Sequence, residues 1–430
     1  MKAVILAAGE GTRFRPLTYT RPKVLLPIAN KPIIQHLVDD LISIGVGEIV
    51  IVMNYMEDKI KKVFSGYKNL KFVRQEKLNG TADAFGKANF VKETFFAING
   101  DEVVSKEDLE QLMKKHKESK ALITVGGMRI DNPERFGVLV TEKDRIIEII
   151  EKPEKAPDNL VNTGLYVFEP EIFGFIEKTK KSARNEYEIT DSIKIAAKET
   201  NRVFYCEVKA WQYVSIIWDI LDGNKAKLED VAKKSGKNLI VEKDVKIKSN
   251  VIIEGNVAIG SGSEIGPNCY IRGSTSIGRN CKIGNGCEIK NSIIMDNTKI
   301  PHLSYVGDSV IGENCNLGAG TKVANVRHDN KNVKVLVKGE VCDSGKKKLG
   351  VFMGDYTKTG INTSIYPGMI LGPFSWTTPN TTVDKNVEPF HLFGKEKELI
   401  DKNKIDFVVK NSEDKEIMKS LYEKLKNISY

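Results

Sequence analysis

The sequence predicts an α/β domain of Rossmann-like type followed by a parallel β-helix built on a hexapeptide repeat. Three observations predict it. Strand-like and helix-like segments alternate from residue 1 to about 220. An isoleucine ladder of period six begins after residue 244. A glycine loop directly follows the first expected strand, where ligands of open α/β sheets bind.

In the first half, "AVILAAG", "EIVIVMN" and "TFFAING" read as buried strands, and "PIIQHLVDDLISIG" and "SKEDLEQLMKKHKES" carry helical periodicity. This alternation predicts a mainly parallel sheet. In the second half, Ile247, Ile253, Ile259, Ile265, Ile271, Ile277, Ile283 and Ile289 are spaced by six, with a small or β-branched residue two places before each. Three hexapeptides make one triangular coil, so residues 18 apart stack on neighbouring coils roughly 4.8 Å apart. The ladder resumes through Ile311, Leu317 and Val323 and again from Met353 to Thr377, and residues 324–349 between these runs are expected to leave the prism as a loop. Its phase breaks near His302 in "IPHLSYVGD", residues 300–308, where the slip is expected to lean the chain outward and present the imidazole. The expected boundaries are 1–225 for the α/β domain, 226–244 for a linker, 245–395 for the β-helix and 396–430 for a polar, partly helical extension.

Composition narrows the function classes. Of 430 residues, 41% are hydrophobic and 29% charged, and no apolar run approaches the ~20 residues of a membrane span. The short apolar start runs into "EGTRFR" and not into a cleavage site, which predicts a cytoplasmic protein. The net charge of +9 is dispersed and interleaved with acids, without an aromatic–basic RNA motif. Small phosphorylated ligands and a merely solvated surface both account for it, so neither a nucleic acid nor a membrane is an expected partner. Cys269, Cys281, Cys287 and Cys315 occupy the small inward position of the repeat, where packing as buried thiols is the expected role. Cys269 and Cys287, 18 apart, are expected to stack but not to bridge.

The loop "LAAGEGTRFRPLTYTRPK", residues 6–23, is neither a Walker A loop nor a dinucleotide fingerprint. It offers backbone amides at a glycine turn together with Arg13, Arg15 and Lys23 as cations for phosphate. The loop resembles the signature LAxGxGTRxxPxTxxxPK of the sugar-1-phosphate nucleotidylyltransferases over roughly residues 1–225. The resemblance implies attack of a sugar-1-phosphate oxygen on the α-phosphate of a nucleoside triphosphate, with release of pyrophosphate. It implies that Leu6, Ala8, Gly9, Gly11, Thr12, Gln75, Gly80 and Thr81 bind the nucleotide, that Arg13 steadies the triphosphate, and that Lys23 bridges the two phosphates. Gly137, Glu151, Lys152 and Asn162 are implied sugar contacts, and Asp101 a magnesium ligand. One departure stands out: where the family carries a W-x-D-x-G-x-P-W motif, this chain reads "WQYVSIIW", with Tyr213 in place of the second carboxylate. A weakened magnesium site and slow nucleotidyl transfer follow; Asp219 and Asp222 are the alternative carboxylates.

Along the ladder, Arg272 and Lys290 replace the glycine that often follows each isoleucine, and they lie 18 apart. Stacked cations repel unless an anion lies between them, which predicts a phosphate clamp; tolerant surface positions are the competing account. The segment "PHLSYVGDSVIGENCNLGAGT" resembles the acetyltransferase half of archaeal-type bifunctional enzymes making N-acetylated sugar nucleotides such as UDP-GlcNAc, over roughly residues 245–390. The resemblance implies acetyl-CoA as cosubstrate and glucosamine-1-phosphate or galactosamine-1-phosphate as acceptor. His302 is the implied base, and an imidazole titrates in the range that task needs. Tyr305, Asn316 and Asn325 are implied sugar contacts, Arg272, Lys290, Lys331 and Lys334 phosphate contacts, and Ala319 and Gly354 acetyl-CoA contacts, with Lys346 to Lys348 either near its phosphates or merely a solvated loop. A left-handed β-helix forming a homotrimer, or a dimer of trimers, is likewise implied. The readings that stay open are an acetyltransferase with weak nucleotidyl transfer, a fully active bifunctional enzyme, and a regulatory or scaffolding protein.

Overall fold

The computed structural model describes residues 1–428. They form two compact units, one of residues 1–10 and 33–213, the other of residues 11–32 and 214 onward.

The first unit is a nine-stranded sheet in the order Leu70–Arg74, Glu48–Met53, Lys2–Ala7, Phe95–Asn99, Leu160–Phe168, Ile123–Arg129, Val203–Glu207, Arg145–Glu151, Gly137–Glu142. The first four strands are parallel; Glu48–Met53, Lys2–Ala7 and Phe95–Asn99 carry the apolar runs that burial on both faces requires, and Leu70–Arg74, with Lys71 and Arg74 exposed, forms the edge. Beyond Phe95–Asn99 the sheet turns mixed, because Leu160–Phe168 runs antiparallel to both its neighbours and residues 137–151 are a tight hairpin. The expected mainly parallel sheet is therefore only half of the observed one. Helices Ile33–Ser43 and Lys106–Ser119 form where the periodicity places them, the latter capped by the Ser105 hydroxyl accepting from Asp108 N at 3.1 Å.

The second unit contains a three-sided parallel β-helix, its sheets carrying seven, nine and seven strands. Ile259, Ile265, Ile271, Ile277, Ile283 and Ile289 are each 0% exposed, so the ladder is the core. Cys269, Cys281, Cys287 and Cys315 are buried free thiols beside it. The stretch expected as linker is ordered differently: helix Asp219–Ser235 covers its first half, and Leu239–Val241 already pairs with Val257–Ile259 as the first coil. Ile220, Leu221, Leu228 and Ala232 give that helix its buried face, which Gly223 and a buried Asn224 disguise in the sequence. Residues 324–349 do leave the coil and carry the hairpin Lys334–Val337/Glu340–Asp343. The tail supplies helices Lys404–Val408 and Ser412–Leu425, whose Met418, Leu421, Tyr422 and Leu425 are buried.

Candidate functional site

The phase break is not at His302. Coils pair at a spacing of 18 residues as far as Arg272 with Lys290, then at 17, as in Ile277 with Ile294 and Asn285 with His302. The ladder itself runs Ile289, Ile294, Ile300, Val306, Ile311, so one residue is lost at each of two corners, 290–293 and 307–310. At those corners Asn291 (φ 44°) and Asp308 (φ 49°) make the turn alone. His302 owes its exposure to a different corner, the end of strand Lys299–His302, where Leu303 takes φ 47°. Its carbonyl accepts from Gly320 N at 3.2 Å and from the Ser304 hydroxyl at 2.8 Å, which fixes the backbone while the ring has no hydrogen-bond partner among the described residues.

The two short corners build a separate polar network at the far end of the strand that follows, Tyr305–Gly307. Asp308 is 5% exposed and its carboxylate accepts from Asn291 Nδ2 at 2.7 Å and from Asn325 Nδ2. Asn325 Nδ2 also lies 3.2 Å from the Tyr305 hydroxyl. A Cβ at Gly307 would fall 2.5 Å from that hydroxyl and 2.9 Å from Asn325 Nδ2, so glycine leaves the space they occupy. The excursion is anchored here too, with Leu349 N donating to Asn325 O and Gly350 N to Asp308 O. Burial, and then the Asp308 charge, push the Tyr305 hydroxyl above its ordinary range, which keeps it a donor.

Arg272 and Lys290 do stack in register, but the argument from repulsion fails. Arg272 is held by Glu288, with Nε at 2.8 Å and Nη2 at 2.7 Å, and Lys290 stands 3.9 Å from Asp308. The carboxylates already balance both cations. Ala319 is at the level of His302 on the next coil, its carbonyl taken by Asn362 N. Asn316 pairs with Lys299, at the far end of the His302 strand. Lys331 and Lys334 are exposed on the excursion. Two expected acetyl-CoA residues have protein partners. Gly354 is buried, its N–H is given to Leu371 O, and a Cβ there would meet Pro373 N at 2.6 Å, so its amide is not open to a cosubstrate. Lys346 is turned to Asp222, with both carboxylate oxygens within 2.8 Å, and is not a free cation for acetyl-CoA phosphates.

In the first unit, Gln75 is 2% exposed and donates to Gly80 O at 3.2 Å and Asp83 at 2.7 Å. Gly80 has φ 110° and a Cβ on it would meet Tyr187 O at 2.5 Å, while the Thr81 hydroxyl accepts from Ile189 N. Gly137 pairs with Glu151, Lys152 Nζ lies 3.8 Å from that carboxylate, and Asn162 is fixed by Tyr166 and Gly164. Burial pushes the Glu151 carboxyl up against the pull of Lys152 and Arg184. Arg184, which bridges Glu151 at 3.2 Å and Glu188 at 2.7 Å, is not legible as a site residue because Glu151, the partner that ties it to the site, lies 33 residues away.

Tyr213 pairs with Glu102 across a two-stranded ribbon, next to Asp101. Glu102 is committed to Trp211 Nε1 at 2.7 Å, and Tyr213 packs on Phe136 and Trp211. Among the described residues no three acidic, histidine or cysteine side chains cluster as a metal site. One carboxylate, Asp101, with substrate phosphates is a donor set that suits magnesium. The alternative carboxylates have protein partners: Asp219 Oδ2 accepts from Ser215 N, the Ser215 hydroxyl and Ile216 N, and Asp222 holds Lys346. The leading segment of the second unit, residues 11–32, carries Thr12, Arg13 and Lys23. There Gly11 at φ 66° admits Lys23, whose Cβ would lie 2.8 Å from a Cβ on that glycine.

The profile of the nucleotidyl transferase family matches residues 2–230, and that described as GMPPB C-terminal domain matches residues 253–349. A bifunctional protein GlmU of Methanocaldococcus jannaschii is 42% identical over 413 residues, 93% of this chain and 99% of the relative. The chain belongs to the archaeal bifunctional sugar-1-phosphate nucleotidylyltransferase/acetyltransferase family. A member bearing that description from Sulfurisphaera tokodaii is 40% identical over 90% of this chain and 98% of its own. A GlmU of Methanococcus maripaludis is 39% identical over 93% and 98%. Membership makes this chain a transferase with a Rossmann-like nucleotidyltransferase domain and a left-handed β-helix. Among the described residues, no helix is long and apolar enough to cross a membrane.

Proposed function

We propose that the β-helix transfers the acetyl group of acetyl-CoA to the amino group of glucosamine-1-phosphate and/or galactosamine-1-phosphate, and that the first domain couples this to nucleotidyl transfer. The observation that carries the reading is His302, whose ring has no hydrogen-bond partner among the described residues, presented on a fixed backbone one corner before the strand that carries Tyr305. In this reading the amine attacks the thioester carbonyl while His302 accepts its proton. The carbon–sulfur bond breaks, and coenzyme A leaves as the thiol after protonation. Tyr305, Asn325 and Asn316 orient the sugar, with Arg272, Lys290, Lys331 and Lys334 around its phosphate. Because Glu288 and Asp308 neutralise the first two cations, selectivity for phosphate over neutral sugar depends on the excursion lysines. A backbone amide near Ala319 faces the developing oxyanion.

In the first domain, Leu6, Ala8, Gly9, Gly11, Thr12, Gln75, Gly80 and Thr81 bind a nucleoside triphosphate, and Gly137, Glu151, Lys152 and Asn162 the sugar. Arg13 and Lys23 neutralise phosphate charge, so catalysis is positioning and electrostatics. Magnesium at Asp101 adds charge neutralisation when bound. With Tyr213 in place of a second carboxylate, nucleotidyl transfer is slow. The bifunctional relatives favour the competing reading of two full activities. A homotrimer, or a dimer of trimers, is the expected assembly. Incubation with each amino-sugar-1-phosphate and acetyl-CoA, following thiol release, tests the acetyl reading: no thiol release with either acceptor refutes it. A parallel pyrophosphate assay separates slow from full nucleotidyl transfer.

A further inference from the structure

Seven consecutive residues between the glycine turn and Lys23, 16–22, are buried in the second unit, to which residues 11–32 belong. Arg21 spans two coils of the β-helix, its Nη1 bonded to Glu313 and its Nη2 to Asp355. The Thr20 hydroxyl donates to the same Asp355 oxygen at 2.7 Å, and the other Asp355 oxygen accepts from Glu313 N at 2.8 Å. Tyr19 packs with Tyr356, Phe374, Phe390 and the tail residues Met418 and Tyr422. Burial works against the Arg21 charge, and the carboxylates of Asp355 and Glu313 outweigh it and hold the guanidinium above its ordinary range. Desolvating such a group opposes folding, and apolar side chains would adhere as well. What a planar fork across two carboxylates adds is a fixed orientation.

The segment that Arg21 anchors is stiff. The Thr18 hydroxyl donates to Gly11 O at 2.8 Å, Lys23 lies against Gly11, and Leu25 N and Leu26 N close short turns on Pro22 O and Lys23 O at 3.0 Å. A shift at residue 21 therefore moves Lys23 and the turn Thr12–Phe14 with it.

We propose that Arg21 is a positioning residue for nucleotidyl transfer: seated on Glu313 and Asp355, it fixes the loop that carries Arg13 and Lys23, so this loop depends on an intact coil of the acetyltransferase β-helix. The inference rests on the reading of Arg13 and Lys23 as phosphate ligands.

The test uses the full chain with Arg21→Lys, which keeps the charge and loses the fork, and the milder Thr20→Val, which loses one bond to Asp355. Arg21→Lys is expected to lower kcat for pyrophosphate release about tenfold or more while KM for the nucleoside triphosphate changes by less than about threefold. Thiol release in the same preparation is expected to stay within about twofold of wild type. Thr20→Val is expected to lower pyrophosphate release by about twofold to fivefold. Amide exchange of residues 11–26 is expected to quicken in Arg21→Lys while residues 309–317 and 352–358 keep wild-type protection. Pyrophosphate and thiol release falling in parallel, or pyrophosphate release unchanged, overturns the proposal. If wild-type protein releases no pyrophosphate, the reading of Arg13 and Lys23 fails by itself, and unchanged exchange over residues 11–26 then overturns the positioning role separately.

Discussion

Asp308→Asn isolates the Tyr305–Asn325–Asp308 network. Asn tolerates the left-handed backbone at φ 49° and matches the side chain in volume, so the change is confined to the hydrogen bonds and to the charge that faces Lys290. The native carboxylate accepts Asn291 Nδ2 on one oxygen and Asn325 Nδ2 on the other. An amide offers one oxygen, and its NH2 meets one of those two donors head on. At 5% exposure water does not relieve the clash, so one buried N–H loses its acceptor at a cost of about 1–3 kcal/mol. Asn325, which Asp308 holds next to the Tyr305 hydroxyl, is then free to rotate, and KM for the amino-sugar phosphate is expected to rise about tenfold, equivalent to about 1.4 kcal/mol. Urea unfolding measures the first effect and thiol release against acceptor concentration the second. Unchanged midpoint and unchanged KM together refute the network.

Tyr213→Asp is expected to raise pyrophosphate release, measured with magnesium present; no increase refutes the account of slow nucleotidyl transfer. Gly284→Ala places a Cβ 1.9 Å from Pro301 O, a backbone atom of the next coil, and is expected to destabilise the β-helix by about 3 kcal/mol or more. Gly174→Ala, with nothing within 4 Å in helix Ile172–Lys178, is the control and is expected to leave the melting temperature unchanged or higher. His116 is buried with Nδ1 2.9 Å from the Thr124 hydroxyl and Nε2 3.1 Å from Glu169; burial pushes its pKa down despite the carboxylate. Between the lowered folded value and roughly 6.5 the unfolded chain binds a proton that the folded chain does not, so stability is lost as pH falls through that window. Melting curves from pH 7.5 to 5.5 are expected to show this loss, and His116→Gln to reduce it.

The parts legible in the sequence are those set by short-range repetition. The ladder from Ile247 to Ile289 announced the coil, and four cysteines at its small inward position were placed with their burial. The strand Lys2–Ala7 and the glycine turn after it were equally local. Contacts between distant residues were not legible. Arg21 lies 292 residues from Glu313 and 334 from Asp355, and nothing near it in sequence hints at either. Following isoleucines alone hid Val306 as a rung, which moved the apparent slip to His302 and away from Asn291 and Asp308. Arg272 and Lys290 stack as the spacing predicts, yet Glu288, on the Lys290 strand, and Asp308, at a short corner, balance them and change what the pair means. Lys346 reads as one of three solvated lysines until Asp222 is placed beside it.

The reading of this β-helix as an acetyltransferase turns on one side chain. His302→Ala, assayed for thiol release with acetyl-CoA and saturating amino-sugar-1-phosphate, is predicted to lose about 100-fold or more of its rate with melting temperature unchanged, because an exposed ring at a corner contributes nothing to the core. Thiol release at the wild-type rate contradicts the account.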